Sequence, residues 1–211
     1  MTRISFAARS EIGKVRTNNE DNLYCNGVTM TASARERPFF LTGITETPAI
    51  FAVCDGMGGE DCGEVASLTA VDGLSEHAKN ILNNLTDTNH EVEKYVIDTN
   101  TKLLGIMRHE NIRMGTTLAL IVAGEHSFTL YNLGDSRIYR TNEDGRLLRV
   151  TDDHTVAEEK MRLGYLTAQQ AEHSRERHIL MRYFGMYDDE AGLMPDVNGP
   201  YEYGSSTRVL L

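Results

Sequence analysis

Apolar and polar positions change their spacing several times along the chain, and each change predicts an element. Residues 64–82 carry Val65, Ala66, Leu68, Val71, Leu74, Ala78, Ile81 and Leu82. This three- and four-residue recurrence predicts a helix with one apolar stripe. A second helix is predicted over about 90–107, with Val92, Val96, Leu103, Leu104 and Met107 inward. Before them, "ITETPAIFAVCD" is a short apolar run with β-formers near its end, as in the middle of a sheet. Beyond them the period falls to two. "GTTLALIVAGEHSFTLYNLGDSRIYRTNEDGRLLRVT" holds four β-rich runs broken at "AGEHS", "LGDS" and "NEDG", a meander of antiparallel strands. Residues 156–182 turn helical again, interrupted by "LGYLT". The layout is α+β, without strict strand-helix alternation.

Composition sets the scale. A chain of 211 residues that is 40% hydrophobic suits one domain with a real core. Lys plus Arg number 21 against 31 Asp plus Glu, a net charge of -10. That balance argues against holding nucleic acid or an anionic membrane by the overall field. The three cysteines, Cys25, Cys54 and Cys62, lack zinc-type spacing, and no apolar run reaches membrane-span length or opens the chain as a signal peptide. A reducing cytoplasm fits.

The candidate chemistry lies in "FAVCDGMGGEDCGEVAS". Gly56, Gly58 and Gly59 lack Cβ atoms, so another group can approach the backbone closely. The stretch has neither the Gly-Lys-Ser/Thr ending of a P-loop nor a dinucleotide fingerprint. An aspartate leading the turn suggests a hard cation, which takes carboxylate and carbonyl oxygen, and Asp55 with the Gly56 carbonyl supplies two such donors. Standing alone, the stretch is equally a turn and a helix cap. Upstream, "GKVRTNNEDNLY" adds Arg16 and the adjacent carboxylates Glu20 and Asp21.

Taken in order, "VRTNNEDN", "FAVCDGMGGEDCGEVAS", "MGTTLALIV", "LYNLGDSRIYR", "GRLLRVTDDHTVAEEKMRLGYLTAQQA" and "RHILMRYFG" resemble the successive motifs of bacterial metal-dependent type 2C (PPM-type) serine/threonine protein phosphatases. The resemblance runs from about residue 4 to residue 211. It implies an α-β-β-α sandwich of two antiparallel sheets flanked by helices, as a single phosphatase domain over residues 1–211, with a flap-like segment at about 155–185. It also implies a dinuclear Mn²⁺ or Mg²⁺ centre in which Asp55 bridges two ions, the Gly56 carbonyl binds one, and Glu20 sits beside it directly or through water. Such a centre activates a water for attack on phosphorus. Arg16 aligns with the phosphate-binding arginine, and Asp135 of "NLGDSR" with the site of a third, weaker ion. Asp153 and His154 of "TDDHT" are supporting residues, and Cys54 is an inert core thiol.

Two departures bear on the chemistry. Met57 stands where many eukaryotic members have a histidine proposed as the acid for the leaving alkoxide. In the family, the segment after a strand like "STRVLL" continues into Asp-Gly and Asp-Asn motifs, each with a metal-binding aspartate, whereas this chain stops at Leu211. The resemblance therefore implies hydrolysis of phosphoserine and phosphothreonine on substrates of a cytoplasmic kinase, by a domain lacking its C-terminal strands and two carboxylates. The alternative is a catalytically silent relative that binds phosphoproteins or a partner. Exposed sheet edges would favour association.

Overall fold

The computed structural model describes residues 1–31, 37–58, 62–142, 144–187, 193–204 and 207–211. The chain opens with strands β1 (Arg3–Ser10), β2 (Asn22–Cys25), β3 (Val28–Thr29), β4 (Phe39–Glu46), β5 (Ala49–Cys54) and β6 (Gly56–Met57). Helices α1 (Gly63–Asn83) and α2 (Thr88–Glu110) follow. Then come β7 (Gly115–Thr116), β8 (Leu118–Ala123), β9 (Ser127–Leu133), β10 (Tyr139–Thr141) and β11 (Leu147–Arg149). Short helices α3 (Val156–Arg162) and α4 (Ala168–His173), with a single 3-10 turn at Arg175–His178, precede β12 (Asp196–Glu202) and β13 (Val209–Leu210).

The central sheet has the order β12-β9-β8-β5-β2-β3, every pair antiparallel. Its middle strands are buried on both faces, which is why they read as continuous apolar runs. Along β5 and β8, Ile50, Ala52, Cys54, Leu118, Leu120 and Val122 face α1 and α2, while Ala49, Phe51, Ala119, Ile121 and Ala123 face the other way. On the helical side they meet Val71, Leu74, Ile81, Tyr95, Val96 and Leu103, all fully buried. Each such large side chain contributes about 1.5–3 kcal/mol by leaving water. The opposite face packs on β1-β4 and on the small sheet β11-β10-β13 through Ile4, Phe6, Leu41 and Val209.

Mixed helices and antiparallel sheets were the sequence expectation, and the helical stripes need one refinement. Val65 is 37% exposed, whereas Tyr95, Thr99 and Asn100 are buried. The helices cross at Gly73, where a Cβ would lie 2.4 Å from Thr99 Oγ1. That close approach centres α1's contact on Ala66, Ala70 and Leu74 and leaves Val65 at the margin. Among the described residues, Phe40 and Ile44 on the β4 face turned from the core stay exposed. Within the described residues, no helix is long and apolar enough to cross a membrane.

Candidate metal and phosphate site

Strand β5 ends at Cys54, and Asp55 follows at the sheet's edge, held by its backbone. Its N–H donates to Thr117 Oγ1 (3.0 Å). Its carbonyl accepts from the Thr117 N–H (3.0 Å) and the Thr116 hydroxyl (2.9 Å). The next residue cannot carry a side chain. A Cβ on Gly56 would lie 2.2 Å from the Gly63 carbonyl oxygen and 2.4 Å from that of Glu20, so three backbone segments meet there. A Cβ on Gly63 would lie 2.7 Å from Glu20 Cδ, which puts the Glu20 carboxyl over the first turn of α1. Negative charge is favoured at that helix end. Gly59, singled out in the sequence, lies outside the described residues.

Two asparagines fix the loop that delivers Arg16, Glu20 and Asp21. Buried Asn19 donates from Nδ2 to Ser10 Oγ (2.9 Å) and accepts from the Asp21 N–H (3.2 Å). Buried Asn22 accepts from the N–H groups of Leu23 and Met30 and donates to the Met30 carbonyl. Ser67 of α1 donates its hydroxyl to the Glu20 carbonyl at 2.6 Å. Sequence reasoning passed over both asparagines, because a polar run before a strand resembles solvated surface until its burial is seen.

Arg16, Glu20, Asp55, Gly56 and Asp135 come together around one cavity of about 530 Å³, joined by Thr117, Met57 and His178. The direct partner of Asp55 is Asp21, which the sequence reading left without a role. The two carboxyls act on each other directly. Burial pushes Asp55 up to about 6, the facing Asp21 adds to the rise, and Arg16 opposes it. Burial raises Asp21 and Glu20 as well. Ionisation of one carboxyl thereby makes ionisation of the other more costly.

Asp135 leaves β9 through a turn that closes on the same wall. Gly134 has φ +109, and a Cβ there would meet Thr117 Cγ2 at 2.6 Å. Ser136 and Thr117 hydroxyls lie 2.6 Å apart, tying the turn to the backbone clamp on Asp55. Burial, then Asp153, then Asp55 raise the Asp135 carboxyl. Asp153 is gripped by Arg137 (2.6 Å) and Arg149 (2.9 Å). His154 is buried, and its Nδ1 accepts from the Gly134 N–H at 3.0 Å. Its Nε2 lies 3.1 Å from Asp196 Oδ2, out of line for a hydrogen bond. Burial lowers its pKa, with Arg182 adding to the effect. Cys54 is fully buried and its thiol is pushed far up by burial, while Cys25 is pushed up to about 11. Neither thiol forms a thiolate near neutral pH.

Another part of the cavity wall comes from the segment between Thr155 and Phe184. Thr155 bridges Leu180, Val156 N–H donates to the Ile179 carbonyl, and Met181 N–H donates to the His154 carbonyl. At the flap's end Phe184 and Thr116 exchange backbone hydrogen bonds of 3.1 and 2.9 Å. His178 and Leu180 thereby line the same cavity as the carboxylates.

Carboxyls raised by burial and by neighbouring carboxyls are oxygen donors suited to a hard divalent cation. Among the described residues no three His, Cys, Asp or Glu side chains gather into a ligand cage, so Asp21 and Asp55 are the paired donors. An arginine beside them adds an anion-binding group.

Residues 39–184 match the family model described as protein phosphatase 2C. Among curated relatives, the serine/threonine phosphatase Stp of Listeria innocua is 30% identical over 182 residues, covering 84% of this chain and 66% of that protein. The chain thus spans just under two thirds of that relative's length. The crystal structure of the Mycobacterium tuberculosis serine/threonine phosphatase PstP/Ppp superposes with a TM-score of 0.76 at 24% identity, covering 99% of this chain and 77% of that one. A structure of the PstP catalytic domain in complex with two manganese ions gives 0.70 at 24% identity, covering 98% and 75%.

Proposed function

The chain belongs to the protein phosphatase 2C family, and from that premise we propose that it is part of an enzyme that hydrolyses phosphoserine and phosphothreonine on proteins. The observation that carries the reading is the interacting Asp21–Asp55 pair, of which Asp55 lines one cavity together with Arg16. The manganese in the related PstP structure supports Mn²⁺ or Mg²⁺ as the cation. The residues fit such an ion by donor chemistry: Asp55 and Asp21 give carboxylate oxygen, Gly56 lies at the cavity wall, and Glu20 and Asp135 stand within electrostatic reach of Asp55. When bound, divalent cations lower the pKa of water and offset phosphate charge.

The chain's own groups do the rest. Arg16 grips two non-bridging phosphate oxygens with its planar fork, and its charge opposes what accumulates there as the bond to phosphorus forms. Thr116 and Thr117 hold Asp55 by its backbone, so the carboxylate position survives loss of the ion. Residues 1–211 act as one phosphatase domain with the flap at about 155–185 facing the phosphate. The substrates are phosphoproteins of a cytoplasmic serine/threonine kinase.

A second reading, a phosphoprotein-binding relative without turnover, is favoured by the lack of a three-residue ligand cage among the described residues. Phosphate release from a phosphoserine peptide with saturating Mn²⁺ separates the two. Turnover that falls about 10- to 1000-fold in kcat/KM in Arg16→Ala, with Mn²⁺ affinity unchanged by calorimetry, is expected. Peptide binding with no phosphate released would establish the second reading instead.

A further inference from the structure

Hydrolysis of a phosphoserine or phosphothreonine ester expels an alkoxide, a poor leaving group that needs a proton as the bond breaks. The cavity offers few sources. Arg16 stays charged throughout, Met57 has no exchangeable proton, and the hydroxyl of Thr17 is too weak an acid. The carboxyls of Glu20, Asp55 and Asp135 are the oxygen donors of the proposed ion site. His178 is the remaining titratable group at the cavity wall, and histidine is the side-chain type that exchanges protons between pH 5 and 8.

Its placement is built into the flap. Ser174 Oγ accepts from the Glu176 N–H (3.1 Å), and Lys160 Nζ lies 2.7 Å from both Glu176 carboxylate oxygens, which sets the turn Arg175–His178 against α3. Beyond His178 the backbone is extended and stitched to Thr155, Val156 and His154. In an extended segment alternate residues share a side; His178 and Leu180 face the cavity, and Ile179 between them is exposed. Arg177 Nε donates to His178 Nε2 at 2.9 Å, so in this state Nε2 carries the lone pair.

We propose that His178 is the catalytic acid that protonates the departing serine or threonine oxygen; the inference rests on the phosphatase reading. A water that has given up one proton attacks phosphorus and a new P–O bond forms. The bond from phosphorus to the side-chain oxygen breaks, and its electron pair goes to that oxygen. The His178 imidazolium gives its Nε2 proton to the same oxygen, leaving a free hydroxyl, hydrogen phosphate and a neutral imidazole. Nε2 of the neutral ring then accepts from Arg177 until the proton lost by the water returns to it through solvent, which releases that hydrogen bond and restores the imidazolium.

The test compares leaving groups. His178 is exposed, so His178→Asn and His178→Gln keep the fold. With saturating Mn²⁺, His178→Asn should lower kcat on a phosphoserine peptide about 100-fold, the usual contribution of a positioned acid. Turnover of p-nitrophenyl phosphate, whose leaving group departs as a stable anion, should fall far less than that of the peptide. A histidine C2–H resonance absent from His178→Asn should shift when inorganic phosphate is added to the Mg²⁺-bound protein. Equal losses on both substrates, no loss on either, or an unmoved resonance would overturn the assignment. No phosphate release from either substrate by the unaltered protein would overturn the phosphatase reading and this inference with it. An active protein indifferent to His178→Asn would overturn this inference alone.

Discussion

The cavity has two walls built on different principles. One is made of strand ends and turns, where Asp55, Gly56, Thr117 and Asp135 are fixed by backbone-to-backbone approach. The other is the flap, where His178 and Leu180 are delivered by short helices held by caps and by ion pairs such as Lys160–Glu176. In the strand wall a single methylene has no space, whereas flap glycine Gly164 would meet nothing within 4 Å if it gained a Cβ. Ion-binding oxygens tolerate little displacement, and the strand wall supplies that constancy from the core outward. The flap rests on local interactions, which a protein can alter without disturbing the core.

The largest expected effect lies in the strand wall. Asp55→Asn removes a charge that a bound cation needs, so Mn²⁺ affinity measured by calorimetry should fall more than about 100-fold, beyond the loss typical of an outer-shell change. Stability should move the other way. Burial and Asp21 raise Asp55 from 3.8 to about 6, so its protonated form is the one the folded state favours. That contribution is fully present below pH 3.8 and is lost as pH rises through about 6. The metal-free parent should therefore lose thermal stability across that window relative to Asp55→Asn, and added Mn²⁺ should restore it above the window. A variant that binds Mn²⁺ normally would remove Asp55 from the ion site.

The next effect contrasts the walls directly. Gly56→Ala forces a Cβ to within 2.2 Å of one carbonyl oxygen and 2.4 Å of another. Backbone must shift, and a loss of about 3 kcal/mol is expected. Gly164→Ala has open space and suffers only from its φ of +80, a cost of about 1 kcal/mol. Denaturant unfolding of both variants measures the difference. Equal costs would mean that the strand wall yields as readily as the flap.

The same contrast governs how much the sequence disclosed. Strands β5, β8 and β9 and helices α1 and α2 were legible because each carries one period for many residues and the core enforces it. Arg16, Glu20, Asp55, Gly56 and Asp135 could be singled out because their motifs occur in order. Asp21 could not be ranked against Glu20, since adjacent residues differ in function only through the direction each side chain takes. Asn19 and Asn22 act through burial, to which composition is blind. His178 falls where the sequence reads as helix over 156–182, but the chain beyond it is extended, and the bonds from Thr155, Val156 and His154 bring it to the cavity.

The smallest effect belongs to the flap. Thr167 caps α4: its hydroxyl accepts from the Gln170 N–H at 3.2 Å, and the Gln170 side chain accepts from the Thr167 N–H at 2.8 Å. Thr167→Ala removes one half of this reciprocal pair, worth about 1 kcal/mol to the helix. Because α4 is only six residues long, that loss falls mainly on the flap. Amide exchange at Gln170 and Ala171 should accelerate about fivefold, the rate equivalent of that energy if the helix opens locally. Exchange at Thr117, whose N–H is bonded to the Asp55 carbonyl, should stay unchanged, and so should Mn²⁺ affinity. A cap change that also loosened Thr117 would show that the two walls open as one unit and that the flap's local interactions hold the ion site in place.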